Sequence, residues 1–181
     1  MKRLAQIVPL FGLFFALSSV CYSQPKDVLG WQDARWGMSD SDIAATFGIK
    51  LQKQRETTLY GYNGTLSYIL PGIKLNGQEF SAYFQMAAAT DTLKGVYVVL
   101  DQRRSQVPRE DVFNALESSL TLKYGPPHRK KDERPTKTPI EFVSLSRTWK
   151  FPTTTVGLSC QWNSDNSSQV VIHYFPSNLK E

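Results

Sequence analysis

Alternation of apolar with other residues is the feature that most constrains the fold of this chain. Over residues 80–86 every second side chain is a core-type apolar residue, a period of two that is typical of a β-strand with one buried face. The β-rich character extends over residues 57–101, where Asn63-Gly64 joins two runs as a strong hairpin signal. Pro71-Gly72 is expected to end the second run. The pattern predicts an antiparallel meander.

Two helices are predicted beside this meander. Ser39 and Asp42 stand three residues apart, as in a capping box, at the start of a short helix that ends at Gly48. A longer amphipathic helix begins near Pro108 and carries apolar residues at steps of three and four up to Gly125.

A polar, basic loop is expected over residues 128–139, and three strands follow it, at 144–151, 154–162 and 169–175. The order of elements predicts an α+β fold in which two helices pack on one face of an antiparallel β-sheet. Both helices end in an aromatic residue followed by glycine, and each is followed by strands. This α-β-α-β plan suggests a pseudo-duplication, although chance is the alternative explanation.

The N-terminus has the layout of a secretory signal peptide. Lys2 and Arg3 precede an apolar run, and the uninterrupted part of that run is too short to span a bilayer. We expect cleavage after Ser23. The chain is then divided into a signal peptide (1–23), a polar lead-in (24–35) and a single α+β domain (36–177).

Lipidation through Cys21 is the alternative fate of this N-terminus. A bacterial lipobox has leucine three residues before the cysteine and a small residue directly before it, whereas this chain has Ser18 and Val20. Simple export to the periplasm or beyond is therefore expected. If Cys21 leaves with the signal peptide, Cys160 is the only cysteine and no intramolecular disulfide can form.

Charge and composition argue against several classes of function. The chain has 21 basic and 16 acidic residues, a mild excess that is not typical of a nucleic-acid-binding protein. We predict no transmembrane segment in the mature chain. Two histidines and one mature cysteine are too few for a recognisable metal site, and no motif for a cofactor is present.

Cys160 and His173 are the minimal candidates for nucleophilic catalysis. A hairpin centred between residues 164 and 168 would place Cys160 opposite Val171, so that His173 lies diagonally on the same face. A shift of one residue in register would separate the two. The apolar neighbours of Cys160 favour a buried, inert thiol, so no catalytic residue is assigned.

Aromatic and basic side chains are the candidates for partner contact. Trp31 lies in the polar lead-in, where we expect it to be exposed. Three tyrosines flank the Asn63-Gly64 turn, and packing against the sheet is the alternative explanation for them. Three cations form the densest basic stretch, for which a solvated loop is the alternative. The candidates are Trp31, Tyr60, Tyr62, Tyr68, Arg129, Lys130 and Lys131.

The chain resembles a group of small exported bacterial proteins of unknown function in an ordered set of segments: Trp36-Gly37-Met38-Ser39, Leu93 to Leu100, Lys123-Tyr124-Gly125-Pro126, Trp149 and Val170 to Tyr174. In plan the chain is also similar to the β-lactamase-inhibitor-protein and SmpA/OmlA class. The resemblance implies a binding or assembly module and transfers no catalytic residue.

The sequence thus favours an exported, periplasmic or envelope, non-enzymatic binding module. Its partner would be a protein or an anionic envelope polymer, not a nucleic acid. A small exported hydrolase with an unrecognised active site is the alternative. Converging carboxylates in a deep cleft would favour the hydrolase, and an exposed sheet face with aromatic residues would favour the binding module.

Overall fold

The computed structural model describes residues 26–57, 65–87, 89–101, 107–134, 142–163 and 168–178. A short 3-10 turn, Gly48–Lys50, follows the first helix. The helices and strands are β1 (Gly30–Trp31), β2 (Ala34–Arg35), α1 (Asp40–Phe47), β3 (Gln52–Thr57), β4 (Thr65–Leu75), β5 (Gln78–Ala87), β6 (Thr92–Leu100), α2 (Arg109–Tyr124), β7 (Arg129–Glu133), β8 (Phe142–Lys150), β9 (Thr154–Asn163) and β10 (Ser168–Pro176).

Eight of the strands form one antiparallel sheet in the order β3-β4-β5-β6-β10-β9-β8-β7. Each helix precedes a four-stranded meander, and the two meanders join where β6 pairs with β10. The remaining two strands, β1 and β2, form a small hairpin before α1. The pairing of β6 with β10 therefore brings residues that are distant in sequence onto one continuous sheet surface.

The predicted α+β fold, with two helices packed on one sheet face, is wrong, because the protein is mostly β; the order of the elements is nevertheless helix, strands, helix, strands. Strands hold more than half of the described residues, and the two described helices are only 8 and 16 residues long. Helix α2 packs across β9 and β10, whereas α1 mainly contacts the 3-10 turn that follows it. Ile43 is the one buried residue of α1, so this helix is too short to cover the sheet.

Strand β4 is longer than predicted, and its length is one reason why the protein contains more strand than the sequence indicated. Pro71-Gly72 does not end the strand; it forms an irregularity between Leu70 and Ile73 at which the pairing with β5 shifts register. Gly72 has φ of 77°, a conformation that glycine adopts without steric cost. The reversal comes instead at Asn76-Gly77, between the paired residues Leu75 and Gln78. A strand can absorb a Pro-Gly pair at such a bulge.

A second departure is β7, which replaces part of the predicted loop over residues 128–139. Residues 129–133 pair one by one with β8, and all five are exposed. Exposed charged residues are common on the edge strand of a sheet because they discourage pairing with other chains. A basic run therefore does not exclude a strand at this position.

The predicted ends of the two helices are confirmed. Ser39 and Asp42 form the predicted capping box, and Gly48 caps α1 with φ of 60°. Strand β3 pairs antiparallel with β4 but lies before the strand predicted over residues 57–62. Residues 58–64, with the Asn63-Gly64 turn, lie outside the described residues. Helix α2 ends at the predicted Gly125.

The main core lies between α2 and the face of the sheet that we call the helix side. Residues Val156, Leu158 and Ile172 of the sheet and Leu116 of α2 belong to it. The segment before residue 36, assigned from sequence to a polar lead-in, adds Trp31 and Ala34 to the same core. Packing of the domain therefore begins earlier than residue 36. None of the described helices is long and apolar enough to cross a membrane.

Candidate functional site

The face of the sheet opposite α2 carries no helix within the described ranges, and we call it the helix-free face. One row of neighbours crosses five strands on it, in the order Tyr97, His173, Gly157, Thr148 and Arg129. Because alternate residues of a strand point to opposite faces, this row lies on the face that Val156, Leu158 and Ile172 do not use. The row runs from the middle of the sheet to its basic edge.

A groove of about 660 Å³ lies along the β7 half of this face. We call it the basic groove, and none of the described residues that line it is an aspartate or a glutamate. Its lining combines cations, two imidazoles, hydroxyl groups and a few apolar residues: His128, Arg129, Ser146, Arg147, Thr148, Lys150, Thr155, Gly157, Leu158, Ser159, His173, Phe175 and Ser177.

Two of these cations are available to a ligand. Arg129 and Lys150 are exposed, and neither forms an ion pair with another described residue. Arg147 differs, because it points to the helix side: its Nε lies 2.7 Å from Oε2 of Glu117, and it also pairs with Asp132. The positive charge that faces the groove therefore comes from Arg129 and Lys150.

The predicted basic cluster is divided between the two faces of the sheet. Lys130 lies on the helix side, where its Nζ is 2.8 Å from Oε1 of Glu117. Lys131 shares the other face with Arg129 but pairs with Glu133 at 2.6 Å. Alternation along β7 causes the division, so only Arg129 of the three faces the groove without an ion pair among the described residues.

His173 lines the groove from β10, on the side away from β7, and is half-buried. Its Nε2 is 2.8 Å from the hydroxyl of Ser159, and its ring lies 6.0 Å from that of Tyr97. A Cβ at Gly157 would lie 3.4 Å from Cδ2 of His173, so the glycine gives the ring a place over the strand. Desolvation lowers the pKa of His173 to about 4, and the imidazole is neutral at pH 7.

The proposed proximity of Cys160 and His173 is wrong by one residue of register. Cys160 pairs with Val170 rather than Val171, and His173 pairs with Gly157. The two side chains therefore point to opposite faces. Cys160 is fully buried in the core, and burial together with the charge of Glu110 raises its pKa to about 12. The expected burial of Cys160 is confirmed, and the raised pKa keeps the thiol protonated at neutral pH.

The aromatic candidates do not gather at one surface. Trp31 is buried, with 6% of its surface exposed, so its expected exposure is wrong. Its ring packs between those of Phe47 and Phe84. Tyr60 and Tyr62 lie outside the described residues.

Tyr68 is also buried and has a structural partner. Its hydroxyl donates to Asp40 at the start of α1, at 2.8 Å. Desolvation, with this hydrogen bond, raises its pKa to about 12. Tyr68 therefore anchors α1 to the sheet, which agrees with the packing alternative.

The groove residues that sequence reasoning missed are mostly hydroxyls and Lys150. A signal for them is present in β8, where Ser144, Ser146, Thr148 and Lys150 alternate with apolar residues or Arg147. This is the polar side of a period-two strand. This pattern alone does not indicate a groove, because the sequence does not show that β7 and β10 bring cations and a histidine to the same side.

Within the described parts of the chain, no three His, Cys, Asp or Glu side chains converge as metal ligands. No family model, no curated protein and no solved structure matches this chain. The arrangement on the helix-free face is therefore the main guide to function.

Proposed function

We propose that this protein is an exported, non-enzymatic binding module that holds an anionic glycan polymer in the basic groove. The observation that carries the proposal is a groove without carboxylates among its described lining residues, in which Arg129 and Lys150 have no ion-pair partner among those residues. An anionic ligand would meet attraction along the groove and no opposing charge.

Hydroxyl groups make a glycan a better match than an acidic protein segment. Five hydroxyl side chains line the groove: Ser146, Thr148, Thr155, Ser159 and Ser177. Ser146 and Thr148 are half-buried and can donate to and accept from the hydroxyls of a sugar. Thr155 is buried and pairs with Ser177, and Ser159 pairs with His173, so these three already have partners within the protein. The groove spans strands β7 to β10, so it offers contacts to several successive units of a polymer. The exported location and the resemblance to small exported bacterial proteins stay predictions from sequence, and both are consistent with an envelope polymer.

The alternative of a hydrolase finds its best candidate in Ser159 and His173, whose side chains are 2.8 Å apart. A general base needs a pKa near the working pH, whereas the pKa of His173 is lowered to about 4. Strand β9 is paired on both sides, with β8 and β10, at Ser159. Backbone N–H groups in such ladders are not free to stabilise an oxyanion. Binding is therefore favoured over catalysis.

The test is a titration of the protein with alginate, a carboxylated glycan, at low ionic strength. We expect Arg129→Glu and Lys150→Glu each to weaken binding about tenfold, the effect of removing one charged hydrogen bond. Lys123→Glu is the matched control, because it makes the same charge change on α2, outside the groove. Dextran, a neutral glycan, should not bind.

Three results would contradict the proposal. Alginate does not bind, or the control variant weakens binding as much as the groove variants, or poly-glutamate binds as tightly as alginate. The last result would indicate that the groove recognises charge alone, as expected for an acidic protein partner.

A further inference from the structure

A second cavity, of about 510 Å³, lies on the helix side of the sheet, and we call it the helix-side cavity. Val98 and Ile172 of the central strands line it together with Leu116 and Leu120 of α2. Residues 27–32 form a further wall. The cavity has the size of a small-molecule site and a mostly apolar lining.

Specific hydrogen bonds fix the walls of this cavity. Asp27 accepts from the backbone N–H of Thr153 at 2.9 Å and also from its hydroxyl, which attaches the N-terminal segment to the turn between β8 and β9. Asn76 and the hydroxyl of Ser119 exchange hydrogen bonds at 3.0 and 3.1 Å. These contacts join the β4–β5 turn to α2, so the cavity has defined boundaries before any ligand binds.

The charges that line the cavity favour an anion. Arg35 and Lys123 are exposed lining residues, and neither pairs with a carboxylate among the described residues. Asp27, the one acidic residue in the described lining, is committed to Thr153. Arg35 donates through Nη1 to the carbonyls of Gln32 and Ala34, and Nζ of Lys123 lies over the ring of Tyr124, but no described carboxylate neutralises either charge. With Asp27 committed, the lining keeps a net attraction for a negative group.

We propose that the helix-side cavity binds a single-chain amphiphile with an anionic headgroup. The acyl chain lies against Val98, Leu116 and Ile172, where burial of each methylene is favourable. The headgroup lies near the exposed cations Arg35 and Lys123. This site is on the opposite side of the sheet from the basic groove, and the proposal does not depend on a glycan ligand.

Displacement of a fluorescent fatty acid from the full-length chain tests the proposal. Oleate should displace the probe, and Lys123→Glu and Arg35→Glu should each weaken oleate about tenfold, as expected for loss of a charged hydrogen bond. Oleyl alcohol, which has the same chain and no charge, should bind the unchanged protein and the charge variants equally. Lys150→Glu is the matched control on the other face and should leave oleate binding unchanged.

A cavity-filling variant and a vesicle measurement complete the test. Leu120→Trp should abolish binding of both oleate and oleyl alcohol, with the circular dichroism spectrum checking that the variant folds. If it does not fold, the two charge variants still decide the matter. Phosphatidylglycerol vesicles distinguish the source of the chain: transfer of the lipid to the protein identifies a membrane acyl chain, and binding of oleate alone identifies a free fatty acid.

Four results would overturn the proposal. Oleate fails to displace the probe, or the charge variants weaken oleate and oleyl alcohol equally, or Lys150→Glu weakens oleate as much as Lys123→Glu. Attachment of the protein to vesicles without oleate binding would also overturn it, because a membrane surface and not a single chain would then be the ligand.

Discussion

Arg147 shows that ion pairs with residues distant in sequence decide which cations are available to a ligand. Its guanidinium lies over the ring of Phe113, 5.0 Å from the centroid, and pairs with Glu117 and Asp132. Desolvation of Glu117 would raise its pKa, but hydrogen bonds from Arg147 and Lys130 outweigh it and the pKa is lowered. The sequence could show a basic stretch but not these pairs, because the partners lie on three separate elements.

The titration of His173 gives a prediction at the same scale. Its pKa is lowered to about 4 in the folded protein, against about 6.5 in the unfolded chain. Between these values the unfolded state binds a proton that the folded state does not, so stability falls as the pH decreases from about 6.5 to about 4. Over this pH range the free energy of unfolding of His173→Gln should fall by about 2–3 kcal/mol less than that of the unchanged protein. Urea melts at several pH values measure the difference.

His128 supplies the control for this experiment. It is the only other histidine of the chain, and it is exposed directly before β7. The variant His128→Gln should keep the full pH dependence. Equal slopes for His173→Gln and the unchanged protein would show that His173 does not carry the effect.

At the scale of elements, periodicity was sufficient for α2 and insufficient for β7. The apolar residues predicted to form one face of α2 are buried: Val112, Phe113, Leu116, Leu120 and Tyr124. Strand β7 has no apolar residue, since all five of its residues are charged. Its pairing with β8 is a tertiary effect that no local pattern in residues 129–133 could indicate.

Helix α2 offers a matched pair of leucines for a prediction on stability. Leu116 is 2% exposed and Leu122 is 69% exposed on the same helix. Leu116→Ala should lower the free energy of unfolding by about 2–5 kcal/mol, as is typical for a buried leucine. Leu122→Ala should change it by less than about 0.5 kcal/mol. Denaturant melts measure both, and similar losses would mean that α2 does not pack as described.

At the scale of the whole molecule, the sequence predicted most strands but not how far they dominate the fold. Alternation is a local property, and it located β5, β6, β8, β9, β10 and the first part of β4. The joint between β6 and β10 and the full length of β4 depend on contacts between distant segments and on a tolerated bulge. The same limit applies to the basic groove, whose residues come from strands that meet only in the folded sheet.

The last prediction concerns the part of the chain needed for the fold. A protein that begins at Trp36 lacks Trp31 and Ala34, which are buried at 6% and 0% exposure, although both precede the domain boundary expected from sequence. We expect it to be less stable than the protein that begins at Gln24 by about 3–5 kcal/mol, the typical effect of removing a buried tryptophan. Leu29→Ala in the longer protein is the control, because Leu29 is 57% exposed in the same segment and its loss should have little effect. Thermal and urea melts of the three proteins make the comparison. Equal midpoints for the two lengths would show that the residues before Trp36 contact the domain without stabilising it. Residues 27–32 would then not be a fixed wall of the helix-side cavity.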